Sequence, residues 1–113
     1  METMARDVNA EGAVAVEIEI KLRLRDPQAA RTALARLGAE PAGATSELNL
    51  IYDDADERLR RADSALRLRI ETPAGGAARA WLTFKGPAEA HARVRRREEI
   101  QSAVADPDAL RAI

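Results

Sequence analysis

Residues 14–25 read Val-Ala-Val-Glu-Ile-Glu-Ile-Lys-Leu-Arg-Leu-Arg. Val14, Val16, Ile18, Ile20, Leu22 and Leu24 fall on one side; Ala15, Glu17, Glu19, Lys21, Arg23 and Arg25 fall on the other. A period of two sustained this long predicts a strand with one apolar and one ionic face. It is about twice the usual strand length.

The pattern recurs along the chain. Glu47 to Asp53 reads as a second strand. Ala65 to Glu71 sets Leu66, Leu68 and Ile70 against Arg67 and Arg69. Arg79 to Lys85 sets Ala80, Leu82 and Phe84 against Trp81, Thr83 and Lys85. Arg93 to Val104 sets Val94, Arg96, Glu98 and Ile100 against Arg95, Arg97, Glu99 and Gln101. Two Asp-Pro pairs, Asp26-Pro27 and Asp106-Pro107, carry an N-cap followed by proline at the first helical position. The first opens a helix with Ala30, Ala33, Leu34 and Leu37 on one stripe, stopped at Gly38. Asp54 to Asp63 is a polar loop with a short helical turn, and Thr72 to Gly76 is a turn. The expectation is an α+β fold: an antiparallel sheet with flanking helices, its aliphatic face packed on the helix. Residues 1–13 are expected to form a flexible lead. The helical pattern after Asp106 runs to Ile113 without a stop signal. Residues 14–113 therefore read as the N-terminal part of a larger β-rich domain, the alternative being a short docked final helix.

Composition narrows the function classes. The chain has 113 residues, with 18 Lys plus Arg against 19 Asp plus Glu. A nucleic-acid binder would show a basic excess, and only three aromatic residues are available for stacking. No apolar run approaches the ~20 residues of a membrane span. Cysteine is absent and His91 is the only histidine, which excludes thiolate and multi-histidine metal sites within the chain and suits a cytoplasmic setting. All the basic residues but two, Lys21 and Lys85, are arginine.

The polar faces together carry Glu17, Glu19, Lys21, Arg23, Arg67, Arg69, Lys85, Arg95, Arg97, Glu99 and Gln101. Consecutive strands in a meander would set cations side by side, which is destabilising. Such a face is easiest to understand with an anion on it, since arginine forks and lysine ammonium both suit phosphate. Glu17 and Glu19 point the same way about 6.5–7 Å apart. Carboxylates so placed suit Mg²⁺ or Mn²⁺ together with substrate phosphates. A ladder of surface salt bridges would use the same residue types.

Five segments in order resemble one family. Glu17-Ile-Glu-Ile-Lys21 is similar to the Glu-x-Glu-x-Lys signature of the CYTH family, the triphosphate tunnel metalloenzymes. Glu47-Leu-Asn49 running into Tyr52-Asp53, Leu66-Arg-Leu-Arg69, Leu82-Thr-Phe-Lys-Gly-Pro87 and Arg97-Glu-Glu99 continue the resemblance. It implies an antiparallel β-barrel, a tunnel of eight strands, of which about five fall in this chain. It implies Mg²⁺ or Mn²⁺ and a triphosphate: tripolyphosphate, ATP or thiamine triphosphate. Lys21, Arg67, Arg69, Lys85 and Arg97 would contact the triphosphate; Glu17, Glu19 and Glu99 would hold metal; Glu19 and Lys21 would be catalytic. The implied activity is hydrolysis of the terminal phosphate. The alternatives are a class IV adenylate cyclase, making cyclic AMP from ATP, and a module that binds polyphosphate or nucleotide without turnover. Open sheet edges would invite a second copy of the chain. Nucleic acid and membrane are not expected partners. Tyr52 and Trp81 are assigned to packing, and His91 to a solvated loop.

Overall fold

The computed structural model describes residues 2–3, 13–91 and 94–113. The flexible lead expected over residues 1–13 falls largely outside the described residues, as does Arg93. Among the described residues seven strands form one antiparallel sheet: β1 (Glu2–Thr3), β2 (Ala13–Leu22), β3 (Thr45–Tyr52), β4 (Ala65–Pro73), β5 (Arg79–Lys85), β6 (Glu89–His91) and β7 (Val94–Val104). The order is β1-β2-β7-β5-β4-β3, with β6 on β7. The five long strands correspond to the five read from the sequence, except that the first ends at Leu22 and leaves Arg23 to Arg25 outside the sheet. Among the described residues the sheet is open, with β3 at one edge and β1 beside β2 at the other.

Among the described residues there are three helices: α1 (Pro27–Arg36), α2 (Arg58–Arg61) and, after the last strand, α3 (Pro107–Ala112). Both Asp-Pro pairs act as read. The Asp26 carboxylate accepts from the Gln28 and Ala29 amides at 3.0 and 3.2 Å, and Asp106 from Ala109 at 3.0 Å. Each satisfies amides that the first turn leaves without a helical partner. Gly38 takes the left-handed conformation, φ 86°, just beyond α1, where a side chain would be strained. None of the described helices is long and apolar enough to cross a membrane.

The two faces of the sheet differ as the alternation requires. Leu68 and Ala80 are its buried apolar residues, at 0% and 4% exposure. The expectation that a helix covers the aliphatic face is not met. No α1 residue is buried, and Leu34 and Leu37 remain 52% and 83% exposed. Val14, Val16, Ile18, Ile20 and Leu22 are all exposed on β2. Helical periodicity specifies that α1 has an apolar stripe, but not what that stripe meets.

Candidate functional site

Register gathers the ionic side chains on one face. On β2 and β7, Glu17 lies opposite Arg97 and Glu19 opposite Arg95. On β7 and β5, Glu99 lies opposite Lys85 and Gln101 opposite Thr83. On β5 and β4, Thr83 lies opposite Arg67 and Trp81 opposite Arg69. Because β2 pairs with β7, acidic positions meet basic ones. The cation-against-cation crowding expected of consecutive strands does not arise, because the register of β4, β5 and β7 sets Arg67 against Thr83 and Lys85 against Glu99; two carboxylates, Glu47 and Glu71, do stand opposite each other.

At the centre is a buried ionic cluster. Lys85 Nζ lies 3.1 Å from both oxygens of Glu17 and 3.6 Å from Glu99 Oε2. Glu17 is 6% exposed and Glu99 4%. Beside it, Thr83 Oγ1 donates to Gln101 Oε1 at 3.1 Å, and both residues are buried. Isolated charges at such depth would be costly, and pairing offsets that cost.

Arg97 is aimed differently. It faces Glu17 in the register, yet its Nε donates to the Gly86 carbonyl and its Nη2 to the Asp63 carbonyl, each at 2.8 Å. Asp63 has φ 50°, an uncommon conformation outside glycine. Its Oδ2 accepts from the Ala88 amide at 2.9 Å, and its Oδ1 lies 3.6 Å from Arg95. The Ala88 amide, with the Arg97 and Arg95 charges, holds the Asp63 carboxyl below its usual range against the opposing effect of burial. The chain entering β4, the chain leaving β5 and β7 are thereby tied at one point. Sequence reading missed Asp63 because nothing in its polar loop distinguishes it from a neighbouring turn residue.

The remaining predicted residues lie further out. Arg69 Nε donates to Asn49 Oδ1 at 2.8 Å and lies 3.4 Å from Glu47, so its head turns toward β3. Lys21 is half-exposed and pairs with Glu19 at 3.4 Å. Arg67 is half-buried between Ile51 and Thr83 in the register. The structure thus brings Glu17, Glu99 and Lys85 into contact, with Arg67 and Arg97 on adjoining strands. Glu19 and Lys21 extend the face along β2.

Fit to a divalent cation can be judged from the donors. Two buried carboxylates already converge on one positive centre, the Lys85 ammonium. A pair of carboxylates completed by phosphate and water oxygens is the usual arrangement for Mg²⁺. No cluster of three or more acidic, His or Cys side chains suited to a metal occurs among the described residues. Glu17 and Glu99 are thus two carboxylates close enough to share one cation.

The CYTH domain profile matches residues 15–113. No curated protein matches the sequence. The match takes in β3 to β7, all but the first two residues of β2 and every ionic residue described above, and the chain belongs to the CYTH domain family.

Proposed function

We propose that the chain is a metal-dependent triphosphatase that removes the terminal phosphate of tripolyphosphate or an organic triphosphate. The observation that supports it most is the Lys85 ammonium held between Glu17 and Glu99 on a face that also carries Arg67, Arg69, Arg97 and Lys21.

Phosphoryl transfer needs positioning and charge neutralisation more than covalent chemistry. Lys85 and Arg67 would hold the inner phosphates, with Arg69 further along β4, on the side away from the attacked end. Arg97 would keep the Gly86 loop in place and so set the position of Lys85. Glu17 and Glu99, with Glu19 alongside, would hold Mg²⁺ or Mn²⁺, which when bound neutralises phosphate oxygens and orients water. With carboxylates and ammonium no longer paired to each other, Lys85 Nζ becomes available to a phosphate oxygen. The water oxygen attacks the terminal phosphorus, the bridging P–O bond breaks, and its electron pair stays on the diphosphate oxygen. Glu19 accepts the water proton and Lys21 steadies the terminal phosphoryl group. A cytoplasmic setting is consistent with the absence of cysteine.

The test is a product assay on the chain with tripolyphosphate and, separately, ATP, in Mg²⁺ or Mn²⁺. Phosphate release lost in Glu17→Gln and Lys85→Ala is the expected result. Pyrophosphate with cyclic AMP would replace this reading with a cyclase. Binding without turnover would leave a non-catalytic module.

A further inference from the structure

Asp63 occupies the turn between α2 and β4 and belongs to no strand. Its amide donates to the Arg60 carbonyl at 3.1 Å, which fixes it to the end of α2. That short helix is itself fastened beside the end of β3, where the Asp53 carboxylate accepts from the Leu59 and Arg60 amides at 3.1 and 3.0 Å. From this anchored position the other polar atoms of Asp63 reach to β7 and to the segment that follows β5. The carbonyl accepts from Arg97, one carboxylate oxygen accepts from the Ala88 amide, and the other lies near Arg95.

Gly86, Pro87 and Ala88 connect β5 to β6, and Lys85 is the residue just before them. The connection is held at both ends. Gly86 is buried; its amide donates to the Glu98 carbonyl at 2.9 Å and its carbonyl accepts from Arg97 at 2.8 Å. Pro87 has no amide to offer. The remaining amide, that of Ala88, goes to the Asp63 side chain. Lys85 depends on this support because it ends β5 and its ammonium acts across β7, on Glu17 as well as Glu99. A shift of its backbone moves the ammonium relative to both. A left-handed turn residue alone would be served by glycine or asparagine. The aspartate adds a charged acceptor whose contacts all fall on the elements that carry Lys85 and Arg97.

We propose that Asp63 is a positioning residue for phosphate binding: by fastening the Gly86–Ala88 connection and Arg97 to the α2–β4 turn, it sets where the Lys85 ammonium stands. Asp63 does this from outside the sheet and touches no phosphate itself. This rests on the triphosphate reading above and adds to it the residue that holds its central cation in place. Supporting groups of this kind matter because a binding group is effective only while its own position is fixed.

Lys21 and Lys85 are the only lysines in the chain, so ¹³C-lysine labelling gives one ε-methylene NMR signal for the proposed target and one internal control. The experiment records both signals in the full chain, Asp63→Gly and Asp63→Asn, and measures by calorimetry the Kd of each for tripolyphosphate in Mg²⁺. Asp63→Gly keeps the left-handed backbone and removes the carboxylate. It should move the Lys85 signal, leave that of Lys21 in place and weaken tripolyphosphate about tenfold. Asp63→Asn keeps an oxygen for the Ala88 amide and should restore the Lys85 signal and a Kd within about threefold of the unaltered chain. A Lys85 signal unmoved in Asp63→Gly, or both lysine signals moved alike, overturns the positioning role and leaves the triphosphate reading standing. So does a moved Lys85 signal with tripolyphosphate bound as tightly as before, or an Asp63→Gly chain that no longer folds. An unaltered chain that does not bind tripolyphosphate overturns both.

Discussion

Lys85 reaches Glu17 across the strand that separates them. β5 and β2 are not neighbours; β7 runs between, and the ammonium spans it to lie 3.1 Å from the carboxylate. Strands two apart are about 9.5 Å from each other, a span suited to a long flexible lysine. Arg97, which stands opposite Glu17, leaves it to Lys85 because its own donors go to the Asp63 and Gly86 carbonyls.

That bridge predicts an asymmetric mutational response. Lys85→Ala removes the ammonium that Glu17 and Glu99 share at a buried position, and breaking a buried ion pair from one side costs about 3–5 kcal/mol. Lys85→Met combined with Glu17→Gln and Glu99→Gln removes all three charges and should recover most of the loss. Urea denaturation of the single and triple variants measures this. A triple variant as unstable as Lys85→Ala would show that the cluster is not the source.

The tie at Asp63 predicts a pH dependence. Its folded pKa is lowered by the Ala88 amide and by Arg97 and Arg95. A lowered folded value means the ionised carboxylate adds stability above the unfolded Asp pKa of about 3.9. That contribution is lost as pH falls through the folded value. The denaturation midpoints of the native chain and Asp63→Asn should therefore differ near neutrality and converge in acid. A difference unchanged into strong acid would contradict it.

Core and face should respond oppositely to truncation. Leu68 is fully buried, and Leu68→Ala should cost about 2–5 kcal/mol. Ile18 is 60% exposed, so Ile18→Thr should alter monomer stability by no more than about 0.5 kcal/mol.

Asp26→Ala removes the acceptor for two first-turn amides, and loss of such a cap costs about 1 kcal/mol. Since α1 buries no residue, that loss should appear as fraying of the helix, with exchange of the β4 and β5 amides unchanged. Faster exchange in those strands would show that α1 supports the sheet.

What the sequence determined is local. Alternation from Val14 to Arg25 and its later repeats specify strands and divide their residues between two faces, because side chains in a strand point alternately up and down, although the first strand stops at Leu22. The Asp-Pro pairs specify helix starts, because each supplies a cap and a suitable φ within a single turn. The motif residues from Glu17 to Glu99 were likewise legible as a set sharing one face. Tertiary structure alone decided which of them meet. Pairing of β2 with β7 joins segments about eighty positions apart, and that choice sets Glu17 and Glu19 against Arg97 and Arg95. It also decided that Arg97 holds main-chain carbonyls, that Lys85 sits between two glutamates and that α1 leaves the aliphatic face bare. Neither periodicity nor residue type carries these contacts, since a long side chain selects its partner from whatever distant segment the register brings within reach.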